Sequence, residues 1–286
     1  MTRVAYVNGH YVALREAAVH IEDRGFQFAD SVYEVCAVVD GGLADEQLHF
    51  ERLVRSLAAI RITVPVTARI LGLIYRETLR RNRVRNGLIY CQVTRGQAHR
   101  DHAFPRPEPE PTLVVTAKRV DPAKLERIRT EGVAIITLRD ERWANCSIKS
   151  TGLLANVLAK QQAKERGAYE AWLFDEKGNI TEGTSTNAWI ITQDGILTTR
   201  HLDNHILGGV TRAVFLQLAA AAGIPFEERA FSVEEAKGAR EAFSTASTVG
   251  ATPVIAIDGK RISDGKPGLI TNDLNLLYRL HHKIGA

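Results

Sequence analysis

Apolar residues in the first third of the chain follow two spacings, one typical of strands and one of helices. Short apolar stretches flank Asn8-Gly9, a pair that favours a hairpin turn between strands. A Val- and Tyr-rich stretch over 31–40 predicts a strand that ends before Gly41-Gly42. Apolar residues three and four apart predict helices over 49–60 and 70–81, and alternation predicts strands over 88–94 and 111–117.

The second half mixes strands and helices in a similar way. Strands are predicted over 132–138, 171–174 and 187–191, and helices over 152–166 and 211–222. The first of these helices carries Leu153, Leu154, Val157 and Leu158 on one face. Because hairpins rather than crossover helices join many of the strands, the pattern favours an α+β fold over a doubly wound parallel sheet.

A change of composition near Asp121-Pro122 predicts a domain boundary. It follows a polar, proline-rich loop over 95–110 that shows no apolar period. Long ordered loops of this kind often carry function. The sequence therefore predicts a domain over 1–121 and a second over 122–286.

Composition narrows the class of protein. The 286 residues are 45% apolar and 24% charged, which is ordinary for a globular chain with a core. The net charge of +4 is small and its cations are interleaved with acids, so no nucleic-acid partner is expected. Three widely spaced cysteines suggest neither disulfides nor a metal cluster, and favour a reducing cytoplasm. No signal peptide or membrane-spanning stretch is evident, so no membrane partner is expected.

Lys149 directly precedes the helix predicted over 152–166. A partly desolvated amine loses hydration that stabilises its charged form, and a neutral amine can attack an aldehyde. The alternative is an ordinary solvated lysine. Glu182 is followed by small hydroxyl residues, and a carboxylate there could hold a pyridine nitrogen protonated. The alternative for Glu182 is a hairpin edge.

Two further motifs suit anions. Leu207, Gly208 and Gly209 lead into a helix start with Thr211 as a capping residue, where free backbone N–H groups bind anions. The alternative is a glycine turn with a cap. A hydroxyl cluster over 244–248 is either a second such element or an ordinary loop. Arg100 and His102 could trap a carboxylate, or lie in a solvated loop.

Taken in order, these segments resemble the class IV aminotransferases, the fold-type IV pyridoxal phosphate (PLP) enzymes. The resemblance runs through nearly the whole chain, and its matching runs are 22–35, 90–96, 148–150, 153–161, 181–183, 209–212 and 252–254. It implies two domains, a small α/β domain and a larger β-barrel-like domain with flanking helices. Within the family, the Arg-x-His loop favours the D-amino-acid aminotransferases.

The resemblance also implies roles for individual residues. Lys149 corresponds to the Schiff-base lysine that moves the substrate proton, and Glu182 to the partner of the pyridine nitrogen. Tyr33, Arg100 and His102 correspond to the trap for the substrate carboxylate. The remaining cofactor positions, mainly the phosphate cup and one residue packed on the ring, are Arg52, Leu207, Gly209, Val210, Thr211, Ser247 and Thr248.

The implied activity is ping-pong transfer of the amino group from a D-amino acid, such as D-alanine, to a 2-oxo acid, such as 2-oxoglutarate. A homodimer is implied, because in the family the Arg100 loop comes from the neighbouring subunit; no metal is implied. Thr151-Gly152 and Val249-Gly250 depart from the family pattern and affect side-chain preference.

Other activities on the same fold remain open: a branched-chain L-aminotransferase, an (R)-amine transaminase or an aminodeoxychorismate lyase. A non-catalytic protein that binds phosphate ligands is the alternative of another class.

Overall fold

The computed structural model describes residues 3–284, and contacts between residues divide them into two compact units. Unit 1 holds residues 3–120 and 148–152, and unit 2 holds 121–147 and 153–284. The short segment 148–152, which contains Lys149, thus belongs to unit 1 although the chain on both sides of it belongs to unit 2. The division into domains 1–121 and 122–286 stays a prediction about independent folding, and its outermost residues lie outside the described range.

Unit 1 is built on one antiparallel sheet of six strands in the order β2-β1-β6-β5-β3-β4. The strands are β1 (Val4–Val7), β2 (His10–Ala13), β3 (Ser31–Val39), β4 (Gly42–Leu43), β5 (Gly87–Thr94) and β6 (Thr112–Arg119). The helices are α1 (Arg24–Phe28), α2 (Glu46–Ala59) and α3 (Ala68–Asn82), with a short 3-10 helix over Leu14–Glu16.

Alternation along β3 explains how this sheet presents two different faces. Val32, Cys36 and Val38 are buried in the core that the sheet shares with α2 and α3. Tyr33 and Val35 point to the opposite face, where each residue is only half-buried. The second face is therefore open to side chains that arrive from elsewhere in unit 1.

Unit 2 contains a nine-stranded mixed sheet and the other five helices of the described chain. Its strands are β7 (Val133–Arg139), β8 (Glu170–Phe174), β9 (Ile180–Gly183), β10 (Asn187–Ile191), β11 (Leu197–Thr199), β12 (Phe226–Glu228), β13 (Glu241–Ala246), β14 (Gly250–Ile257) and β15 (Lys260–Arg261). Its helices are α4 (Pro122–Glu131), α5 (Leu154–Glu165), α6 (Val210–Ala221), α7 (Val233–Lys237) and α8 (Leu269–Ile284).

The sheet of unit 2 curls on itself. Its order is β12-β11-β10-β13-β14-β7-β8-β9, with β15 paired to β14. Only residues 184–186 separate β9 from β10, although four strands lie between them in the order. A flat sheet cannot satisfy both conditions, so the sheet bends into part of a barrel. The α+β class and the barrel-like second half are thereby confirmed.

Helices α1, α7 and α8 were not predicted from the sequence, and three further helical features differ from the expectations. Helix α4 was missed because its charged sequence lacks a strong apolar stripe, yet Asp121 caps it and Pro122 begins it. Helix α6 starts at Val210 with Gly209 as its N-cap, so Thr211 is not the capping residue. Helix α5 does form, but Leu154, Val157 and Leu158 on its apolar face are 72%, 59% and 62% exposed. That face is therefore not part of the core of the single chain.

Candidate active site

Lys149 lies on a short extended segment that pairs with β3 of unit 1. The Tyr33 N–H donates to the Lys149 carbonyl oxygen at 3.0 Å, and the Lys149 N–H donates to the Ser56 hydroxyl at 3.3 Å. One residue on, Val32 and Ser150 form a bridge. Hydrogen bonds on both sides of the backbone fix the position from which the lysine side chain projects.

The Lys149 side chain reaches the open face of β3 and β5. Its Nζ lies 4.1 Å from the centre of the Tyr33 ring, a cation–π distance. Tyr33 in turn stacks on Tyr90 with ring centres 5.7 Å apart, and the Tyr90 hydroxyl donates to Gln92 Oε1 at 2.7 Å. Burial raises the pKa of Tyr90 to about 12, so its hydroxyl stays protonated at neutral pH. The lysine amine thus lies beside the Tyr33 ring, which stacks on Tyr90, and the Tyr90 hydroxyl is fixed by its hydrogen bond to Gln92.

Tyr90 was not predicted as a site residue. The signal was available, because strand pairing places Tyr33 opposite Gln92 and Val35 opposite Tyr90. Directly opposed residues share a face of a sheet. Two tyrosines and a glutamine on one face of the sheet mark a polar site, but only once the register of β3 with β5 is known.

Arg52, predicted as a phosphate ligand, is buried in α2 and paired with Glu34 of β3. Its Nε and Nη2 donate to the two Glu34 carboxylate oxygens at 2.7 and 2.8 Å. His49 Nδ1 lies 2.8 Å from Glu34 Oε2. Burial alone would raise the pKa of Glu34, but the charge and hydrogen bonds of Arg52 and His49 lower it to about 2. Glu34, which was not predicted, therefore orients the guanidinium.

Arg100 and His102 come together on Phe28. The Arg100 guanidinium carbon is 5.1 Å from the Phe28 ring centre, and the His102 ring centre is 5.4 Å from it. The buried Arg24 fixes this stretch of loop by donating to the Asp101 carbonyl at 2.5 Å. Arg100 and His102 are both exposed in the single chain. Tyr33, the third predicted member of the carboxylate trap, has Tyr90 and Lys149 as its neighbours instead.

Glu182 is the next-to-last residue of β9 in unit 2 and is 6% exposed. Its Oε1 is paired with Arg142, and its Oε2 accepts from Asn187 Nδ2 at 2.9 Å and from the Leu207 N–H at 3.0 Å. Burial raises the pKa of Glu182, whereas the Arg142 guanidinium and the Leu207 amide oppose that shift. The carboxyl is held rigidly while three donors compensate for its burial.

Arg142 links Glu182 to a second carboxylate. Its Nε and Nη2 donate to Asp140 at 2.9 and 2.7 Å, and the Thr181 hydroxyl donates to Asp140 Oδ2 at 2.7 Å. The sequence carried no local signal for Arg142 or Asp140. A buried carboxylate needs a cationic partner, but this general rule does not identify the residue that supplies it.

The start of α6 forms the second part of the candidate site in unit 2, after Glu182 and Arg142. Asn187 Nδ2 donates to the Leu207 carbonyl at 2.9 Å, and a Cβ at Gly209 would overlap Asn187 Oδ1. Glycine is therefore required for this close approach. No side chain caps the helix at Gly209, so the first N–H groups of α6, which begins at Val210, remain for an anion.

The hydroxyl groups of the predicted cluster over 244–248 contact two different parts of unit 2. Ser244 and Thr245 accept from the indole N–H groups of Trp172 and Trp189, each at 2.8 Å, and so belong to the core. Ser247 lies beyond the end of β13 with its hydroxyl 3.3 Å from that of Thr211. Thr248 follows it on the same turn. The structure thus brings Thr211 and Ser247 together at the helix start.

Comparison with known proteins finds relatives over most of the chain. The family model for amino-transferase class IV matches residues 31–257. A D-alanine aminotransferase of Staphylococcus haemolyticus is 40% identical over 277 residues, covering 96% of this chain and 95% of the relative. That of Listeria monocytogenes is 39% identical over 273 residues, covering 95% and 93%.

Solved structures are similar as well. A branched-chain aminotransferase from Thermoproteus uzoniensis is 26% identical, with a TM-score of 0.86 over 98% of this chain and 94% of that one. The PLP-bound form of a hypothetical aminotransferase from Mycobacterium tuberculosis is 22% identical, with a TM-score of 0.86 over 99% and 100%. At that identity, the second likeness bears on the fold alone.

Proposed function

The chain belongs to the amino-transferase class IV family, and from that premise we propose that it transfers the amino group of a D-amino acid to a 2-oxo acid with PLP as cofactor. The observation that carries the substrate class is the 40% identity to a D-alanine aminotransferase over 277 residues. D-Alanine and 2-oxoglutarate are the proposed donor and acceptor.

The donor set of each unit fits this cofactor. A carboxylate offers about four acceptor positions, and Glu182 uses three, so one remains for a pyridinium N–H. The uncapped start of α6, with the Thr211 and Ser247 hydroxyls beside it, suits a phosphate. The Lys149 amine beside the Tyr33 ring suits an aldehyde carbon.

When bound, PLP supplies an electron sink that stabilises negative charge at the substrate α-carbon. In the proposed reaction, Lys149 Nζ is the group that would hold the cofactor aldehyde and would move the proton of the substrate α-carbon. Glu182 keeps its carboxylate aligned through Arg142 and Asn187. Arg52, fixed by Glu34, contributes positive charge for the phosphate.

The remaining predicted residues divide by chemistry. Thr211, Ser247, Thr248 and the N–H groups that follow Gly209 are proposed to bind phosphate oxygens, and Leu207 to pack on the ring. Tyr33, Arg100 and His102 are proposed to bind the substrate carboxylate. Tyr90 joins them in this proposal, because its hydroxyl lies on the same face as Tyr33 and its one proton would turn from Gln92 to the carboxylate.

A substrate panel separates the proposed activity from its rivals. D-Alanine, L-leucine and (R)-1-phenylethylamine are each supplied with 2-oxoglutarate, and glutamate formation is followed. Turnover with D-alanine alone or with a large preference for it supports the proposal. Turnover of L-leucine without D-alanine would assign the chain to the branched-chain class instead. Under the non-catalytic alternative, no donor would be consumed after addition of PLP.

We also propose a homodimer in the reducing cytoplasm. Two exposed features support the dimer: the Arg100 and His102 pair, and the apolar face of α5. Leu158→Glu should convert a dimer to a monomer in light scattering, whereas Glu165→Gln on the same helix should not. A dimer that persists in Leu158→Glu would remove α5 from the interface. The free, buried cysteines support a reducing compartment. No helix of residues 3–284 is long and apolar enough to cross a membrane.

A further inference from the structure

A cleft of about 470 Å³ opens in unit 2 between α4 and α8, and none of the residues assigned above lines it. Its volume is in the range of small-molecule sites. The lining residues are Glu126, Arg129, Thr130, Lys266, Pro267, Asn272, Asn275, Leu276 and Arg279. We call this the α4–α8 cleft.

The cleft holds three cationic side chains and one acidic side chain, so its formal charge is positive. Glu126 is the shared partner of two arginines, but at 3.6 Å from Arg129 Nη1 and 3.8 Å from Arg279 Nη1. Both distances exceed those of charge-assisted hydrogen bonds. The acid therefore leaves most of the donor capacity of the two guanidinium groups unused.

Arg129 is the most constrained of these cations. Its side chain is 23% exposed, and its Nε is buried with no hydrogen-bond partner among the described residues. Burial and the nearby charge of Arg279 lower the pKa of Arg129. The repulsion between the two arginines is a cost that a bound anion in the cleft would relieve.

We propose that the α4–α8 cleft binds a small multivalent oxyanion, carrying phosphate or two carboxylates. Arg129 and Arg279 supply paired donors, Lys266 adds charge at the rim, and the amide of Asn272 adds a neutral polar group. Pro267 and Leu276 offer an apolar wall for a short carbon chain. Glu126 competes with the anion for the arginines.

The cleft lies directly behind the turn that carries Ser247 and Thr248. Arg129 Nη2 donates to the Val249 carbonyl at 3.3 Å, and Asn275 both accepts from the Ala251 N–H and donates to its carbonyl, each at 2.9 Å. Arg129 therefore links the cleft to this turn, and an anion that binds Arg129 would contact a residue that holds the turn in place. Occupancy of the cleft should slow the amide exchange of residues 247–251, because a bound anion would hold the Arg129 side chain in place.

Isothermal titration calorimetry on the PLP-loaded protein tests the proposal directly. Inorganic phosphate and succinate are the two probes, at matched ionic strength, and saturation with PLP keeps phosphate out of the cofactor position. Arg279→Gln should weaken binding of the preferred probe roughly tenfold. Glu126→Gln should strengthen it, because the competing carboxylate is gone. Arg127→Gln, an exposed arginine on the same helix that does not line the cleft, is the matched control.

The test is decisive because Arg279→Gln and Glu126→Gln are expected to change the affinity for the probe in opposite directions. The site is supported if the affinity falls in Arg279→Gln, rises in Glu126→Gln and is unchanged in Arg127→Gln, and if the bound probe slows the amide exchange of residues 247–251. The probe that binds more tightly then identifies the type of ligand. Absence of binding at millimolar concentrations, or equal affinity in all variants, would overturn it. Binding is measured without turnover, so the result does not depend on the proposed aminotransferase activity.

Discussion

Glu34→Gln tests whether one buried carboxylate holds the α2 arginine in place. In the folded chain, burial alone would raise the pKa of Glu34, but Arg52 and His49 lower it from 4.5 to about 2. That difference corresponds to about 3 kcal/mol of stability at pH 7. Removing the charge also breaks the ion pair in which Arg52 donates two hydrogen bonds to Glu34, and breaking a buried ion pair typically costs about 3–5 kcal/mol. We expect Glu34→Gln to lower the free energy of unfolding by about 3 kcal/mol at pH 7.

The pH dependence gives the sign of the effect. Because the folded pKa of Glu34 lies below its unfolded pKa, the stabilisation is complete above the unfolded value of 4.5 and is lost as pH falls towards about 2. Between pH 7 and pH 3, wild type should lose about 2 kcal/mol through this group, and Glu34→Gln should lose none through it. The stability gap between the two proteins should therefore narrow by that amount.

Urea unfolding followed by circular dichroism at pH 7 and pH 3 measures this gap. Glu51→Gln, an exposed carboxylate on the same helix, is the control and should match wild type at both values. Amide exchange of β3 and α2 shows that the loss arises in unit 1. A gap below about 1 kcal/mol at pH 7, or a gap that does not change with pH, would refute the reasoning.

Three further outcomes are expected. Gly209→Ala should lower the melting temperature and weaken PLP binding, because the new Cβ overlaps the Asn187 amide; calorimetry and a PLP titration measure both, and a neutral result would contradict the packing. Arg142→Gln should cost about 3–5 kcal/mol in urea unfolding, since it leaves two carboxylates buried without a cation, and an unchanged midpoint would rule this out. The three buried thiols should react with a thiol reagent only after denaturation, and rapid labelling of the native protein would count against their burial.

Much of unit 1 could be predicted from the sequence, because its strands and helices show the spacing that burial imposes. The stretch 31–40 became β3, and the spacing over 70–81 became part of α3. Spacing alone left Lys149 as either a reactive or a solvated lysine, and only the family resemblance assigned it to the site. Its pairing with β3 depends on a chain segment that returns to unit 1, and no local pattern encodes such a return.

The residues that orient the candidate site residues were harder to predict from the sequence than the site residues themselves. Glu34, Asp140 and Arg142 act through long-range ion pairs, which depend on tertiary contacts rather than on spacing. The exposed apolar face of α5 shows a related limit. An amphipathic helix has an apolar face whether a core or a partner covers it, so periodicity does not distinguish the two.

The central claim concerns the Lys149 amine, and mapping the covalent cofactor tests it most directly. The protein is mixed with PLP, reduced with borohydride, digested and analysed by mass spectrometry, with Lys149→Ala treated in parallel. We predict one phosphopyridoxyl group per chain, on Lys149, and none in the variant. A label spread over surface lysines, or equal labelling of wild type and Lys149→Ala, would contradict the account.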